Sequence, residues 1–213
     1  RPIQVPGLNQ DVTLNDVWKS RSLHNEQPDA SAQGPIKEGH LLNLSDIFTK
    51  HDVHDLLGIH LAHRHGEIPE NYMLLGEKSA KPLCRRAIMT CGDDVDLSKV
   101  HGHVFVVNDG RLHPYEYQQG PLMESVTRID PAFFSDFIDY ITANDLTSLV
   151  GLEVLILQFK DKYMSEIVYE GEALMWESKR LKYLKNIKTT GWTFLPGQYT
   201  GNAFHVADDK GHR

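Results

Sequence analysis

Eight of the twelve histidines of this chain lie between positions 51 and 113, and two groups among them have a spacing that suits chemistry. The first is His60-Leu61-Ala62-His63-Arg64-His65. On a strand, side chains alternate between faces, so His63 and His65 would share the face of Ile59 and Leu61, with His60 and Arg64 on the other. The second is His101-Gly102-His103, whose imidazoles would share a face with Phe105 and Val107. Two imidazoles leaving one side of a strand about 7 Å apart suit a metal ion. If Asp109-Gly110 is a two-residue hairpin turn, His103 faces Glu116 across the strand pair. His101, His103 and Glu116 would then offer two imidazoles and a carboxylate, the ligand set of non-haem Fe(II) sites and of several catalytic zinc sites. The expected ligands of Fe(II) or Zn are therefore His63, His65, His101, His103 and Glu116. The expected catalytic residues are His63, His65, Glu116 and Arg64, which could also work without a metal, because an imidazole in an apolar pocket titrates near neutral pH. Whether the two groups form one site or two stays open at this point. So does the simpler role of a buried histidine bonded to a backbone carbonyl.

Those residues must be held by elements whose signals are local. Leu41, Leu44, Ile47 and Phe48 recur at helical spacing and predict a helix over about 40–51. Gly58 follows, and then a strand over Ile59–His65. Asn71–Glu77 reads as a short strand and 78–99 as an irregular connection. His101–Val107 and Leu112–Tyr117 form a hairpin around Asn108-Asp109-Gly110. Asp130 with Pro131 marks a second helix start, and Phe133, Phe134, Phe137, Ile138 and Ile141 form its stripe. Leu149–Leu157 reads as a buried central strand, with Ser165–Glu170 as its hairpin neighbour. Ala173–Lys188 fits strand or helix equally. The prolines and polar run of residues 1–38 predict an extended arm, anchored over Val12–Trp18, and residues 191–213 a coil with one short strand at Trp192–Leu195.

An offset of 93 residues aligns two segments, with Asp52/Asp145, Leu56/Leu149 and Gly58/Gly151 identical. Each reads helix, turn, glycine, strand, with copies over about 40–77 and 133–172. This predicts a single α+β domain over 39–190, a mainly antiparallel sheet with two helices on one face, as in ferredoxin-like sandwiches. The second copy carries Ile156 and Gln158 where the first has His63 and His65, so the frame does not demand histidine there.

Composition narrows the partners. A net charge of −7 argues against a nucleic-acid partner. The basic run Lys179–Lys188 reads as a solvated face. No apolar run approaches about 18 residues, so no spanning helix and no membrane partner are expected. Two cysteines, Cys84 and Cys91, are too few for a disulfide framework or a cysteine-based zinc site. That predicts a reduced, cytoplasmic setting, against which the sequon Asn43-Leu44-Ser45 is the one sign of secretion. Nucleotide-binding glycine loops, the serine elbow and His-Glu-x-x-His are all absent.

Two resemblances bear on function. Gly58…His63-x-His65…Glu70…Gly76 is similar to the first cupin metal motif but is one residue short at each glycine spacing, and no second motif follows. The helix followed by Gly58–His65, with the later Leu112-His113-Pro114-Tyr115-Glu116-Tyr117, resembles a group of small uncharacterised fungal proteins with a Gly-x-x-Leu-Leu-His-Arg-His segment. That likeness covers roughly residues 44–170 and implies a fungal origin without an activity. His101-Gly102-His103 stands outside its pattern, which shifts weight toward His63, His65 and Glu116. Together these readings lead to an enzyme acting on a small organic molecule, in fungal specialised metabolism, through a histidine-rich site. The alternative is a non-catalytic ligand-binding or interaction protein on the same scaffold, using the N-terminal arm to form a homodimer.

Overall fold

The structure, a computed structural model, describes residues 3–80, 83–178 and 186–206. Two helices follow directly from their apolar stripes. Helix α2 (Glu38–Lys50) buries Leu41, Leu44 and Phe48, and α4 (Pro131–Ala143) buries Phe133, Phe134, Phe137, Ile138 and Ile141. Asp130 caps α4 by accepting the Ala132 N–H, and Pro131 costs nothing at the first helical position. Helix α1 (Leu14–Asn25) starts with a capping box in which Thr13 and Asp16 satisfy each other's backbone N–H groups. A short α3 spans Glu124–Thr127.

Ten strands complete the described residues: β1 (Leu57–Leu61), β2 (Tyr72–Ala80), β3 (Leu83–Cys91), β4 (Val100–Asn108), β5 (Arg111–Gln119), β6 (Val150–Val154), β7 (Met164–Tyr169), β8 (Glu172–Glu177), β9 (Ile187–Leu195) and β10 (Gln198–Val206). They form a closed ring in the order β1-β6-β4-β5-β2-β3-β8-β7-β10-β9, and β9 returns to β1. The β2–β5 and β7–β10 pairs are parallel, and the remaining neighbours antiparallel. The architecture is therefore a mixed ten-stranded barrel with four helices, and not the ferredoxin-like α+β sandwich the helix–strand pattern suggests. An open sheet would leave two edges of unpaired backbone groups, and closure removes both.

The correction lies in what the helix–strand segments assemble into. Both segments exist, with α2 and α4, and β1 and β6, beginning and ending at the same 93-residue offset. Asp52 and Asp145 both adopt the left-handed conformation just past their helices, with φ of 54° and 56°. A Cβ on Gly58 would lie 2.6 Å from the Trp192 carbonyl oxygen, and one on Gly151 3.1 Å from that of Phe105. Glycine is thus needed where β9 crowds β1 and where β4 crowds β6. Strands β1 and β6 pair antiparallel, with Ile59 opposite Leu152.

Helices α2 and α4 pack on the outside of the barrel. Leu44, Phe48, Phe133 and Phe137 share one apolar cluster with Leu57, Ile59, Leu61, Leu152, Val154, Trp192 and Phe194. Each large side chain buried there stabilises by about 1.5–3 kcal/mol. Since Ile59 and Leu152 face the helices, alternation turns their neighbours His60 and Glu153 toward the barrel interior.

Several local expectations need correction as well. Residues 1–38 are not an extended arm throughout, because α1 packs along β5 and β2. Residues 78–99 hold the end of β2 and the whole of β3, and the tail supplies β9 and β10, which close the ring. Strand β7 pairs with β8 and β10, not with the 149–157 segment. Strand β1 ends at Leu61, four residues earlier than its pattern suggests. The hairpin turn is as expected, with Asp109 and Gly110 at φ 51° and 69°. Residues 179–185 of the basic run lie outside the described residues. Among the described residues Cys84 and Cys91 are free, and no helix is long and apolar enough to cross a membrane.

Candidate metal centre

Because β1 stops at Leu61, alternation no longer governs His63 and His65. The chain turns inward, and His63 stacks on His60 with ring centroids 5.0 Å apart. The Nε2 atoms of His63 and His65 then face each other at 3.0 Å. Glu166 on β7 brings Oε2 to 3.6 Å from His63 Nε2 and 3.4 Å from His65 Nε2. All three side chains are fully buried. Among the described residues this is the group whose possible ligand atoms all lie within 4.8 Å of one another. The circle through three atoms at these separations has a radius of about 1.9 Å, just inside the roughly 2.0–2.2 Å of Zn–N and Zn–O bonds.

Tautomers are fixed by the surrounding partners. His63 Nδ1–H donates to the Leu61 carbonyl at 2.7 Å, so a neutral His63 presents its Nε2 lone pair to the centre. His65 Nδ1 lies 3.5 Å from Glu116 Oε1, and Glu116 Oε2 lies 3.6 Å from the Arg85 guanidinium. This carboxylate–imidazole arrangement is the usual outer support of a metal-bound histidine. Arg85 crosses from β3 over Gly76 to reach Gln118 and the Tyr117 carbonyl on β5. A Cβ on Gly76 would overlap the guanidinium.

The N-terminal segment clamps the loop that carries the two histidines. The His65 N–H donates to His24 Nε2 at 3.2 Å, and Asn25 exchanges two hydrogen bonds with the Ile68 backbone. Gln33 donates to the Ala62 carbonyl, and the Arg64 N–H to that of Pro28. The arm predicted from proline content is therefore a positioning element.

Electrostatics favour a cation at the centre. Among the described residues the buried carboxylates are Glu116, Glu153 and Glu166 and the buried guanidinium is Arg85, and against burial the carboxylates raise the buried His60 and His65. Burial works against the Glu166 carboxylate, but the charge of His65 and the two imidazoles facing it hold it well below the usual carboxylate range. Burial would lower His65 too, yet Glu166 and Glu116 outweigh it and raise it to about 9. Burial keeps His63 below the ordinary imidazole value, with Glu166 only partly offsetting it. Without a metal, a proton on His65 Nε2 holds the place a cation would take. Even so, His65 Nδ1, Glu116 Oε1 and Glu166 Oε2 lack hydrogen-bond partners, a cost that a bound ion with tightened geometry would relieve.

Of the residues expected from sequence, His63 and His65 come together and Glu116 stands behind His65, outside the group of three. Arg64 turns away and pairs with Asp29 at 2.9 Å, partly exposed. His101 does not share the site; its Nδ1–H donates to the Gly120 carbonyl. His103 is buried beside Glu153, 3.5 Å from its Oε1, because a bulge displaces it from the expected pairing with Glu116 and puts Val104 there. Glu70, the acid of the cupin-like spacing, is exposed. Sequence reasoning missed Glu166 and His24. Alternation puts Glu166 on one face with Met164 and Val168, a lone acid among apolar residues, but Ile167 and Tyr169 opposite look equally fit for burial.

No family model, curated protein or solved structure matches this chain.

Proposed function

We propose that this chain is a metal-dependent enzyme acting on a small organic molecule, with a divalent transition metal held by His63, His65 and Glu166. The observation that carries the reading is the triangle of two imidazole nitrogens and one carboxylate oxygen, all buried inside the barrel. Two imidazoles and a carboxylate favour Zn(II) or Fe(II) over Ca(II) or Mg(II), which prefer oxygen ligands. Three protein ligands leave further positions for water and substrate, the pattern of catalytic rather than structural sites. The metal would supply Lewis acidity or an activated bound oxygen ligand. The protein's residues hold it: Leu61 and Glu116 orient the imidazoles, and against its burial Glu116 is held below the usual carboxylate range by His65 and Arg85.

A second reading has support of its own. The raised His65 and the bare His63 Nε2, 3.0 Å apart, form an acid–base pair that could move a proton without a metal. The test is incubation of metal-loaded protein with a small-molecule library, followed by mass spectrometry. The metal-dependent reading expects a compound consumed by the native chain and not by Glu166→Gln or by chelated protein. Consumption that survives chelation would favour the acid–base pair. No consumption by a fully metal-loaded protein would overturn the enzymatic reading.

A further inference from the structure

A small cavity lies beside the candidate centre. Leu155, Ile156, Phe159, Met164 and Met175 give it apolar walls. It adjoins the centre in two ways. Met164 lies two residues from Glu166 on the same face of β7. Glu153, which lines the cavity, lies 3.8 Å from His60 Nδ1, and His60 stacks on His63.

Beside the Thr193 hydroxyl and the Lys160 ammonium, the wall carries three unpartnered acceptor atoms. Glu153 is nine-tenths buried, and its Oε2 has no hydrogen-bond partner. The same holds for Asn202 Oδ1 and for Nδ1 of the buried His103. His103 is kept neutral by burial, so an Nε2–H directed at Glu153 Oε1 would leave Nδ1 as a lone pair. Of the buried carboxylates among the described residues, Glu116 has Arg85 and Glu166 belongs to the candidate centre, while Glu153 faces only the imidazoles of His60 and His103, at 3.8 and 3.5 Å. Lys160 stands at the mouth, but its ammonium pairs with Asp55 at 2.6 Å on the surface.

We infer that this cavity is the substrate pocket and that its occupant is a small organic cation, an apolar molecule ending in a protonated primary amine. The ammonium would donate to Glu153 Oε2 and Asn202 Oδ1, and the hydrocarbon would lie against Met164, Met175 and Phe159. The buried Glu153 carboxylate, with unpartnered acceptor atoms of Asn202 and His103 in the same wall, repels a carboxylate and gives a neutral hydroxyl no charge-assisted bond. The inference deepens the proposed function by naming a substrate class, and its location beside the metal rests on that reading.

Isothermal titration of the full chain with n-pentylamine, 1-pentanol and pentanoate at pH 7 tests it, with metal content measured on the same samples. The amine should bind at least about tenfold more tightly than the alcohol, and the acid should not bind, since only the amine makes a charge-assisted bond to Glu153. Glu153→Gln should weaken the amine at least about tenfold and leave the alcohol unchanged. Asn202→Asp, which adds an acceptor charge without depending on a lost contact, should tighten the amine. Stronger binding of pentanoate, or equal binding of all three probes, overturns the inference. So does an amine affinity that neither substitution moves. Amine binding to a chain that holds no metal leaves the pocket standing and removes the metal centre.

Discussion

His63 and His65 present their Nε2 atoms to each other at 3.0 Å inside a closed barrel, and Glu166 completes a triangle no wider than 3.6 Å. Two facing imidazole nitrogens can share a proton or a metal. The buried carboxylates around them favour the ion with more positive charge. From this relationship the following outcomes are expected.

Glu116 supports His65 without ligating the metal. Glu116→Gln should leave about one metal per chain but weaken its affinity by roughly 10–100-fold, the usual cost of losing an outer partner of a ligating histidine. Competition with a chromophoric chelator measures this. An unchanged affinity would mean that Glu116 does not orient His65.

Gly76 makes room for Arg85. Gly76→Ala forces the guanidinium off Gln118 and the Tyr117 carbonyl. Overpacking of this kind costs about 1–3 kcal/mol, read by urea denaturation. Metal affinity should fall with it, because Glu116 loses its counter-charge. Ala87, opposite Gly76 on β3, is the contrasting position, since its methyl is already accommodated there.

Arg64 sits between the two histidines in sequence but outside the site in space. Arg64→Ala should leave metal content and affinity unchanged and cost no more than about 1 kcal/mol, because its partner Asp29 is itself partly exposed. A loss of metal comparable to that of His63→Ala would contradict the geometry.

Acid should destabilise the metal-free protein. Burial holds His101 and His103 below the ordinary imidazole value. Below about pH 6.5 the unfolded chain takes up protons at these positions while the folded chain does not. Their contribution is therefore constant above that pH and is lost as pH falls toward the lower folded values. His101→Gln should make the acid limb of a stability–pH curve shallower. An identical curve would show that His101 titrates alike in both states.

Local features of the fold were legible and closure was not. The stripes of α2 and α4, the Asp130-Pro131 start and the Asp109-Gly110 turn are each decided within a few residues, and the structure has them. The pairings of β1 with β9 and of β3 with β8 join residues about 90 to 130 positions apart, and no local pattern announces them. The site divides the same way. His63 and His65 are near neighbours in sequence and were visible as a pair, although the strand reading placed them on the wrong face. Glu166 reaches them only through the ring. His103 was expected opposite Glu116 and is moved by a bulge that the Gly102 step conceals.

The most direct test of the central claim is metal analysis of untagged protein by plasma mass spectrometry, alongside the His63→Ala, His65→Ala double variant and Glu166→Gln. The account predicts about one zinc or iron per native chain, absent from the double variant and reduced in Glu166→Gln. A native chain that stays metal-free after loading, or a double variant that keeps its metal, would contradict it.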